Sequence, residues 1–185
     1  YATSSWFVDI TKLKPALFEE AKKINWSPAH IKDGRFGNWL EGARDWSISR
    51  QRYWASVIPL WQCSCGWQQV FGSASELAAA SGQEITDLHK HIVDKITVPC
   101  PQCGGQAQRV PDVLDTWFDS GSMPYAQAHY PFSNPDDFLT NYPARFIAEG
   151  IDQTRCWFYY LHVIGTGLGF GAAYQNVIVN GIVLA

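Results

Sequence analysis

The stretch from residue 145 to residue 179 constrains the fold most, because strand and helix patterns alternate within it. Residues 145–149 have the pattern of a buried strand, Gly150 permits a tight turn, and Asp152 is a suitable cap for a helix. That helix carries large apolar side chains at helical spacing: Trp157, Phe158, Leu161 and Ile164. Small residues follow, and residues 176–179 then have the pattern of a second strand. Strand, helix and strand in this order predict a βαβ unit, hence an α/β fold with a parallel sheet and ligands at the carboxyl ends of its strands.

Three shorter helices are predicted nearer the start of the chain. Thr11 is a suitable N-cap for the first, with Pro15 near its first turn, where the missing N–H costs nothing. Residues 34–44 form the second, with apolar side chains on one face. Ser73 and Glu76 form a capping box before a short Ala/Leu run that ends at a glycine, which predicts the third.

Four of the five cysteines come in two close pairs: Cys63 with Cys65, and Cys100 with Cys103. The second pair has C-x-x-C spacing with Pro and Gly in its loop, and the first has the tighter C-x-C spacing. Four thiolates in this pattern predict a structural zinc site in a small zinc-ribbon-like insertion, with free thiols or a disulfide as the alternatives. His89 and His91 would substitute if Cys63 or Cys65 is not a ligand, although ordinary surface histidines are the favoured interpretation. Cys156 stands alone, and we expect a small buried apolar side chain.

Composition excludes several classes of protein. With 46% hydrophobic residues and 17% charged residues over 185 positions, the chain is expected to fold rather than stay disordered. A net charge of −3 argues against a general polyanion binder, but residues 1–60 hold nine Lys or Arg against six Asp or Glu, so a nucleic-acid contact is expected there. The sequence has no apolar run as long as the ~18 to 20 residues of a membrane span, which predicts a cytoplasmic protein with reduced thiols and no membrane partner.

The chain opens at Tyr1 and closes in an apolar run at residues 177–185, so we expect a piece of a larger protein.

Four segments together resemble the isoleucyl-tRNA synthetases, a family of class I aminoacyl-tRNA ligases: residues 34–54, 112–127, 146–161 and 176–185. The resemblance covers essentially the whole chain, and S-M-P-Y-A-Q at residues 122–127 is similar to the isoleucyl version of its segment. The chain departs from the family pattern at Cys156, where Gly is usual, and at residues 55–57, where Ala-Ser-Val replaces the usual Gly-Thr-Pro. Neither the H-I-G-H nor the K-M-S-K-S signature is present.

The resemblance implies the second half of a Rossmann-like catalytic domain. Residues 1–60 would return from the editing insertion into the catalytic core, residues 61–110 would form the zinc-binding insertion, and residues 111–185 would form the Rossmann-like half. The implied activity is that of an isoleucine–tRNA ligase, which activates isoleucine with ATP and Mg²⁺ and transfers it to tRNA(Ile) in the cytoplasm. A monomer is expected, and the isolated fragment is expected to be inactive.

The same resemblance implies roles for particular residues, although no catalytic residue is assigned within the chain. Glu149 and Asp152 would contact the ribose of the aminoacyl adenylate, and Gln153 would contact its amino-acid end. Backbone at Gly150, Gly181 and Val183 would approach the adenylate closely. Trp117 and Trp157 would form the walls of the isoleucine pocket. From spacing alone, Asp152 is equally a simple helix cap. From composition alone, core positions are the favoured interpretation of Trp117 and Trp157, because the chain has nine tryptophans.

Arginines and aromatic residues alternate in the basic first third, with Arg35, Arg44, Arg50 and Arg52 between Trp39, Trp46, Tyr53 and Trp54. Arg pairs with phosphate and aromatic rings stack on unpaired bases, so Arg44, Arg50 and Arg52 are candidate tRNA contacts. The favoured alternative is structural: carboxylates such as Asp45 pair with the arginines. A second hypothesis for the whole chain is a stand-alone zinc-ribbon module that binds RNA or protein.

Overall fold

The computed structural model describes residues 4–133 and 135–182. Its strands in chain order are β1 (Phe7–Val8), β2 (Asn25–Ser27), β3 (Trp46–Ser47), β4 (Ser49–Arg50), β5 (Leu60–Gln62), β6 (Gln68–Val70), β7 (Thr97–Pro99), β8 (Gln106–Arg109), β9 (Val113–Leu114), β10 (Ile147–Gly150) and β11 (Asn176–Asn180). Its α-helices are α1 (Ile10–Lys22), α2 (Gly37–Gly42), α3 (Ala74–Ser81), α4 (Lys90–Val93), α5 (Thr116–Gly121), α6 (Met123–Gln127), α7 (Pro135–Asn141) and α8 (Trp157–Gly167). A π-helix precedes α2 at Lys32–Phe36, and a 3-10 helix precedes α8 at Ile151–Arg155.

The chain divides into two compact units. Residues 4–6 and 48–116 form the cysteine unit, and residues 7–47 and 117–182 form the parallel-sheet unit. Among the described residues, no helix is both long and apolar enough to cross a membrane.

The parallel-sheet unit contains a three-stranded sheet in the order β10–β11–β2. Strands β10 and β11 are parallel, with Ile147 opposite Val177 and Gly150 opposite Asn180, and α8 connects them. The predicted βαβ unit and α/β class are therefore confirmed. Strand β2 adds a third parallel strand, with Asn25 opposite Asn176, which the sequence analysis did not predict.

Helix α8 supplies the core of this unit. Phe158 and Leu161 are almost fully buried, as is His162, whose Nε2–H donates to the Leu17 carbonyl of α1 at 2.8 Å. Burial lowers the pKa of His162 to about 4, because the charged imidazolium would lose its hydration, so the ring stays neutral at physiological pH.

Two predicted helix starts are wrong. Helix α1 is capped by Asp9, whose side chain accepts from the Lys12 N–H at 3.1 Å, whereas Thr11 donates to Asp45. Since α1 starts at Ile10, Pro15 lies inside the helix rather than in its first turn. Asp152 does not cap α8; it lies within the preceding 3-10 helix.

The predicted helix at residues 34–44 is only partly present, whereas the predicted capping box is confirmed. Residues 34–44 begin in a π-helix and continue as α2 only to Gly42. The capping box is confirmed: the Ser73 hydroxyl accepts from the Glu76 N–H at 3.1 Å, and α3 ends at Gly82 with φ of +69°.

The cysteine unit is built on a four-stranded antiparallel sheet in the order β6–β5–β8–β7. Trp61, Phe71 and Leu77 are buried between this sheet and α3, and the Trp61 indole donates to the Ile96 carbonyl at 2.9 Å. The side chain of Arg109 is fully buried and pairs with Asp94, which also accepts from Lys90. Because a buried guanidinium needs a charged or hydrogen-bonding partner, this pair fixes β8 against the segment that follows α4.

Candidate functional sites

The carboxyl ends of β10 and β11 bring together residues that are far apart in the sequence. Glu149 and Gly150 end β10, and Gly150 lies opposite Asn180, the last residue of β11. The exposed Gly181 therefore follows at the same edge of the sheet as Glu149. Val183 lies outside the described residues. In parallel α/β sheets this edge is where ligands bind.

The turn after β10 is a compact group of polar side chains. The Gln153 amide donates to the Asp152 carboxylate at 2.8 Å and accepts from the Trp157 N–H at 2.9 Å. Gln153 thus supplies the first-turn hydrogen bond of α8 that was predicted for Asp152. A Cβ on Gly150 would lie 2.5 Å from the Asp152 carboxylate oxygen, so only glycine permits this position of the carboxylate.

The segment after β2 is tied to the same turn. The Arg35 Nε–H donates to the Thr154 hydroxyl at 3.1 Å, and that hydroxyl donates to the Ile151 carbonyl at 2.7 Å. The Arg155 guanidinium lies 5.4 Å from the ring centre of Trp39, within the range of a cation–π contact. Neither Thr154 nor this role of Arg35 was predicted from the sequence. No local pattern reveals them, since the two residues are 119 positions apart.

Trp117 and Trp157 are both half-buried, and each contacts the helix that carries the other. The Trp117 ring stacks on Tyr160 of α8, with ring centres 5.4 Å apart and planes 15° apart. The Trp157 indole N–H donates to the Ser120 carbonyl of α5 at 3.1 Å. Helices α5 and α8 therefore hold the two indoles in defined orientations.

The four paired cysteines converge in the cysteine unit. Their sulfur atoms all lie within 4.8 Å of one another, with Cys63 Sγ to Cys103 Sγ at 3.4 Å and Cys65 Sγ to Cys100 Sγ at 3.6 Å. Four thiolates about 2.3 Å from one zinc ion have sulfur–sulfur separations near these values. The donor set and its geometry therefore fit a tetrahedral metal ion.

Backbone turns form the cluster and stabilise its thiolates. Gly66 and Gly104 have φ of +95° and +73°, and their N–H groups donate to the carbonyls of Cys63 and Cys100 at 2.9 Å. The Cys65 N–H and then the Cys103 thiol lower the pKa of Cys63 to about 6 by hydrogen bonding to its thiolate. The Gly105 N–H favours a thiolate at Cys103, but the three neighbouring sulfurs together raise its pKa to about 12. Neighbouring thiolates repel one another unless a cation lies between them, so sulfurs gathered this closely suit a bound metal ion.

The remaining predicted ligands lie elsewhere. His89 and His91 are outside the four-sulfur cluster, and His89 instead stacks on Trp54. Cys156 precedes α8 and is half-buried, rather than buried as predicted; burial raises the pKa of its thiol, and the nearby Asp152 contributes.

The three arginines proposed as nucleic-acid contacts differ in their surroundings. Arg50 pairs with Asp115, with Nη2 3.0 Å from a carboxylate oxygen, and donates to the Ser49 carbonyl. Arg44 and Arg52 are exposed. Asp45, expected to pair with an arginine, accepts from Thr11.

A parallel α/β sheet with polar residues at its carboxyl edge is the architecture of the nucleotide-binding class of α/β folds. The family model described as tRNA synthetases class I (I, L, M and V) matches residues 1–185, and the chain belongs to this family. Among its relatives, the Treponema denticola protein named isoleucine–tRNA ligase is 57% identical over the whole chain, and the Bdellovibrio bacteriovorus protein of the same name is 54% identical over 184 residues. The chain spans 17% of the length of each. A solved structure of an Agrobacterium radiobacter LeuRS in ternary complex with tRNA and LeuAMS matches 82% of the chain and 22% of its own, with a TM-score of 0.51 and 24% identity, which supports the fold.

Proposed function

We propose that the chain is part of an isoleucine–tRNA ligase, which activates isoleucine with ATP and transfers it to tRNA(Ile). The observation that carries the proposal is the family match over the whole chain, which includes the polar edge of the parallel sheet. The names of the relatives specify isoleucine as the amino acid. A stand-alone zinc module is not favoured, since the match spans both units.

Residues at the sheet edge would hold the aminoacyl adenylate. The exposed carboxylates of Glu149 and Asp152 accept hydrogen bonds, and ribose hydroxyls donate them. Gln153 is oriented by Asp152 and by the Trp157 N–H, which supports a fixed role next to the amino-acid end. The backbone at Gly150, Gly181 and Val183 would lie against the nucleotide, and the two glycines permit a close approach. ATP would enter with Mg²⁺, which neutralises part of the triphosphate charge.

The half-buried indoles of Trp117 and Trp157 would form the walls of an aliphatic pocket. Their orientations are held by Tyr160 and by the Ser120 carbonyl, so the pocket would be rigid enough to exclude bulkier side chains. A single methylene contributes only ~1 to 3 kcal/mol to such discrimination, for which this enzyme class is itself the standard example. Valine would therefore enter the same pocket.

The cysteine unit would hold one structural zinc ion through Cys63, Cys65, Cys100 and Cys103. The four thiolates would occupy all four coordination positions of the zinc ion, so none would remain open for a substrate. The metal would therefore stabilise the fold and take no part in catalysis. Within this proposal residues 61–110 form a zinc-ribbon-like insertion, between a segment returning from the editing insertion (1–60) and a Rossmann-like half (111–185).

Arg44, Arg50 and Arg52 would contact the tRNA acceptor end. The exposed Arg44 and Arg52 suit phosphate contacts, whereas Arg50 is already engaged by Asp115 and contributes less charge. We further propose that the complete protein is a monomer in the cytoplasm. Sedimentation of the complete protein would test its oligomeric state.

The decisive experiment replaces the matching segment of the T. denticola isoleucine–tRNA ligase with this chain and measures ATP–pyrophosphate exchange. We expect exchange that depends on isoleucine. In this chimera, Glu149→Gln should lower kcat/KM by about ten-fold or more, because a charge-assisted hydrogen bond is lost. Gly150→Ala should have a similar effect, because its Cβ displaces the Asp152 carboxylate.

Glu84→Gln is the matched control, since it makes the same chemical change at an exposed residue of the cysteine unit. Equal exchange by all three variants would refute the proposed site. A folded chimera that activates another amino acid in preference to isoleucine would refute the proposed substrate.

A further inference from the structure

The two most exposed of the large aromatic residues described in the basic first third, Tyr53 and Trp54, are neighbours in the sequence. Trp46 is buried, whereas Tyr53 and Trp54 keep 67% and 68% of their surface exposed. A large aromatic ring gains more from burial than most side chains, so two neighbouring exposed rings indicate a surface adapted for contact.

Trp54 is held in place from one side. Its indole stacks on the His89 imidazole, with ring centres 4.9 Å apart and planes 28° apart. His89 is oriented in turn by Asp87, which accepts from its backbone N–H at 2.8 Å and contacts Nδ1 at 2.6 Å. With one face against the imidazole and two thirds of the residue exposed, the indole presents its other face to solvent.

We propose that the Trp54–His89 stack binds an unpaired nucleobase at a single-stranded RNA end. A preoriented flat ring suits a planar π-system, and every nucleobase has such a face. The residues around it are Arg52, Tyr53 and His91, which are polar, cationic or aromatic and suit a base with its phosphate better than an aliphatic peptide side chain. The inference rests on the proposed function, in which the RNA partner is a tRNA, and it assigns the base contact to residues outside the proposed arginine set.

The test uses the purified chain and two fluorescently labelled RNA hairpins of identical stem. One hairpin carries a four-nucleotide single-stranded 3′ end and the other is blunt. We expect the wild-type chain to bind the first more tightly in an anisotropy titration. Trp54→Ala should remove that preference, with a loss of about five-fold or more in affinity for the overhanging hairpin and no change for the blunt one.

Two substitutions serve as controls. Trp54→Phe keeps a ring and should retain most of the preference, whereas Val70→Ala removes an equally exposed apolar side chain of the same unit and should change nothing. Arg52→Gln should weaken both hairpins alike, since a phosphate contact does not distinguish them.

Three outcomes would overturn the inference. If Trp54→Ala retains the preference, the stack is not the base site, while RNA binding by the chain stands. If the wild-type chain binds both hairpins equally, it does not recognise the unpaired end. If it binds neither, the proposed arginine contacts fail together with the stack.

Discussion

Gly165 shows how one residue without a side chain permits the packing of a whole helix. It is buried in α8, and a Cβ there would lie 2.6 Å from the Gly171 carbonyl oxygen and would also collide with the Tyr142 hydroxyl. That hydroxyl lies 3.2 Å from the hydroxyl of Tyr125 and donates to the Gly171 carbonyl at 3.4 Å. Helix α8 therefore approaches this hydrogen-bonded pair of tyrosines only because position 165 has no side chain.

Gly165→Ala should lower the free energy of unfolding by about 1 to 3 kcal/mol, because backbone and tyrosine must move to make room. Gly167→Ala is the control in the same helix, since its Cβ would meet only Leu13 at an ordinary 3.6 Å. Alanine also favours helix over glycine, so this variant should be as stable as wild type or slightly more stable. Urea unfolding of both variants checks the pair, and equal midpoints would contradict the packing argument.

At the scale of elements, the sequence predicted what depends on local pattern. The strand–helix–strand order of β10, α8 and β11 and the capping box of α3 follow from periodicity and from short-range hydrogen bonds, and both are confirmed. The convergence of the four cysteines, which come from two pairs far apart in the sequence, also follows from their spacing, because metal ligands have a recognisable pattern.

Helix starts that depend on the folded surroundings were not predicted from the sequence. Asp9 caps α1, whereas Thr11 donates to Asp45, which is 34 residues away. Asp152 yields its predicted capping role to Gln153, because the 3-10 helix places the Gln153 amide below the Trp157 N–H. In each case two nearby residues could make the same bond; a tertiary contact decides between them at α1, and the local 3-10 helix decides at α8.

Metal removal tests whether the four-cysteine cluster stabilises the fold of the cysteine unit. We expect one zinc ion per chain by elemental analysis, and we expect a chelator to unfold this unit, because apparent zinc-binding free energies of ~10 to 16 kcal/mol are comparable to the stability of a whole domain. Exposure of Trp61, which is 1% exposed in the folded unit, would report the change through a red-shifted fluorescence spectrum.

Cys100→Ser should abolish zinc binding, since Cys100 is one of the four converging sulfurs. Cys156→Ser is the matched control, because it removes a thiol outside the cluster. A chain that is folded and free of metal would contradict the prediction, and so would equal loss of zinc in both variants.

At the scale of the whole molecule, the parallel sheet of the described chain has a partly uncovered face. Ile178 in the central strand β11 is 45% exposed, and Ala148 of β10 is exposed beside it. Parallel sheets are normally covered on both faces. Because the chain spans 17% of its relatives, this face is consistent with a unit that is completed by further structure in the larger proteins.

The 185-residue chain alone should therefore show no isoleucine-dependent ATP–pyrophosphate exchange. Adenylate formation builds charge on the triphosphate, and preorganised cationic groups must meet that charge. The family's H-I-G-H and K-M-S-K-S signatures, which would supply such groups, do not occur in this sequence. A sample with full zinc content and cooperative unfolding would show that inactivity does not come from misfolding, and the chimera with the T. denticola protein serves as the positive control. Exchange above background by the isolated chain would mean that the residues at the sheet edge catalyse activation unaided, and it would contradict the expectation that both signatures are required.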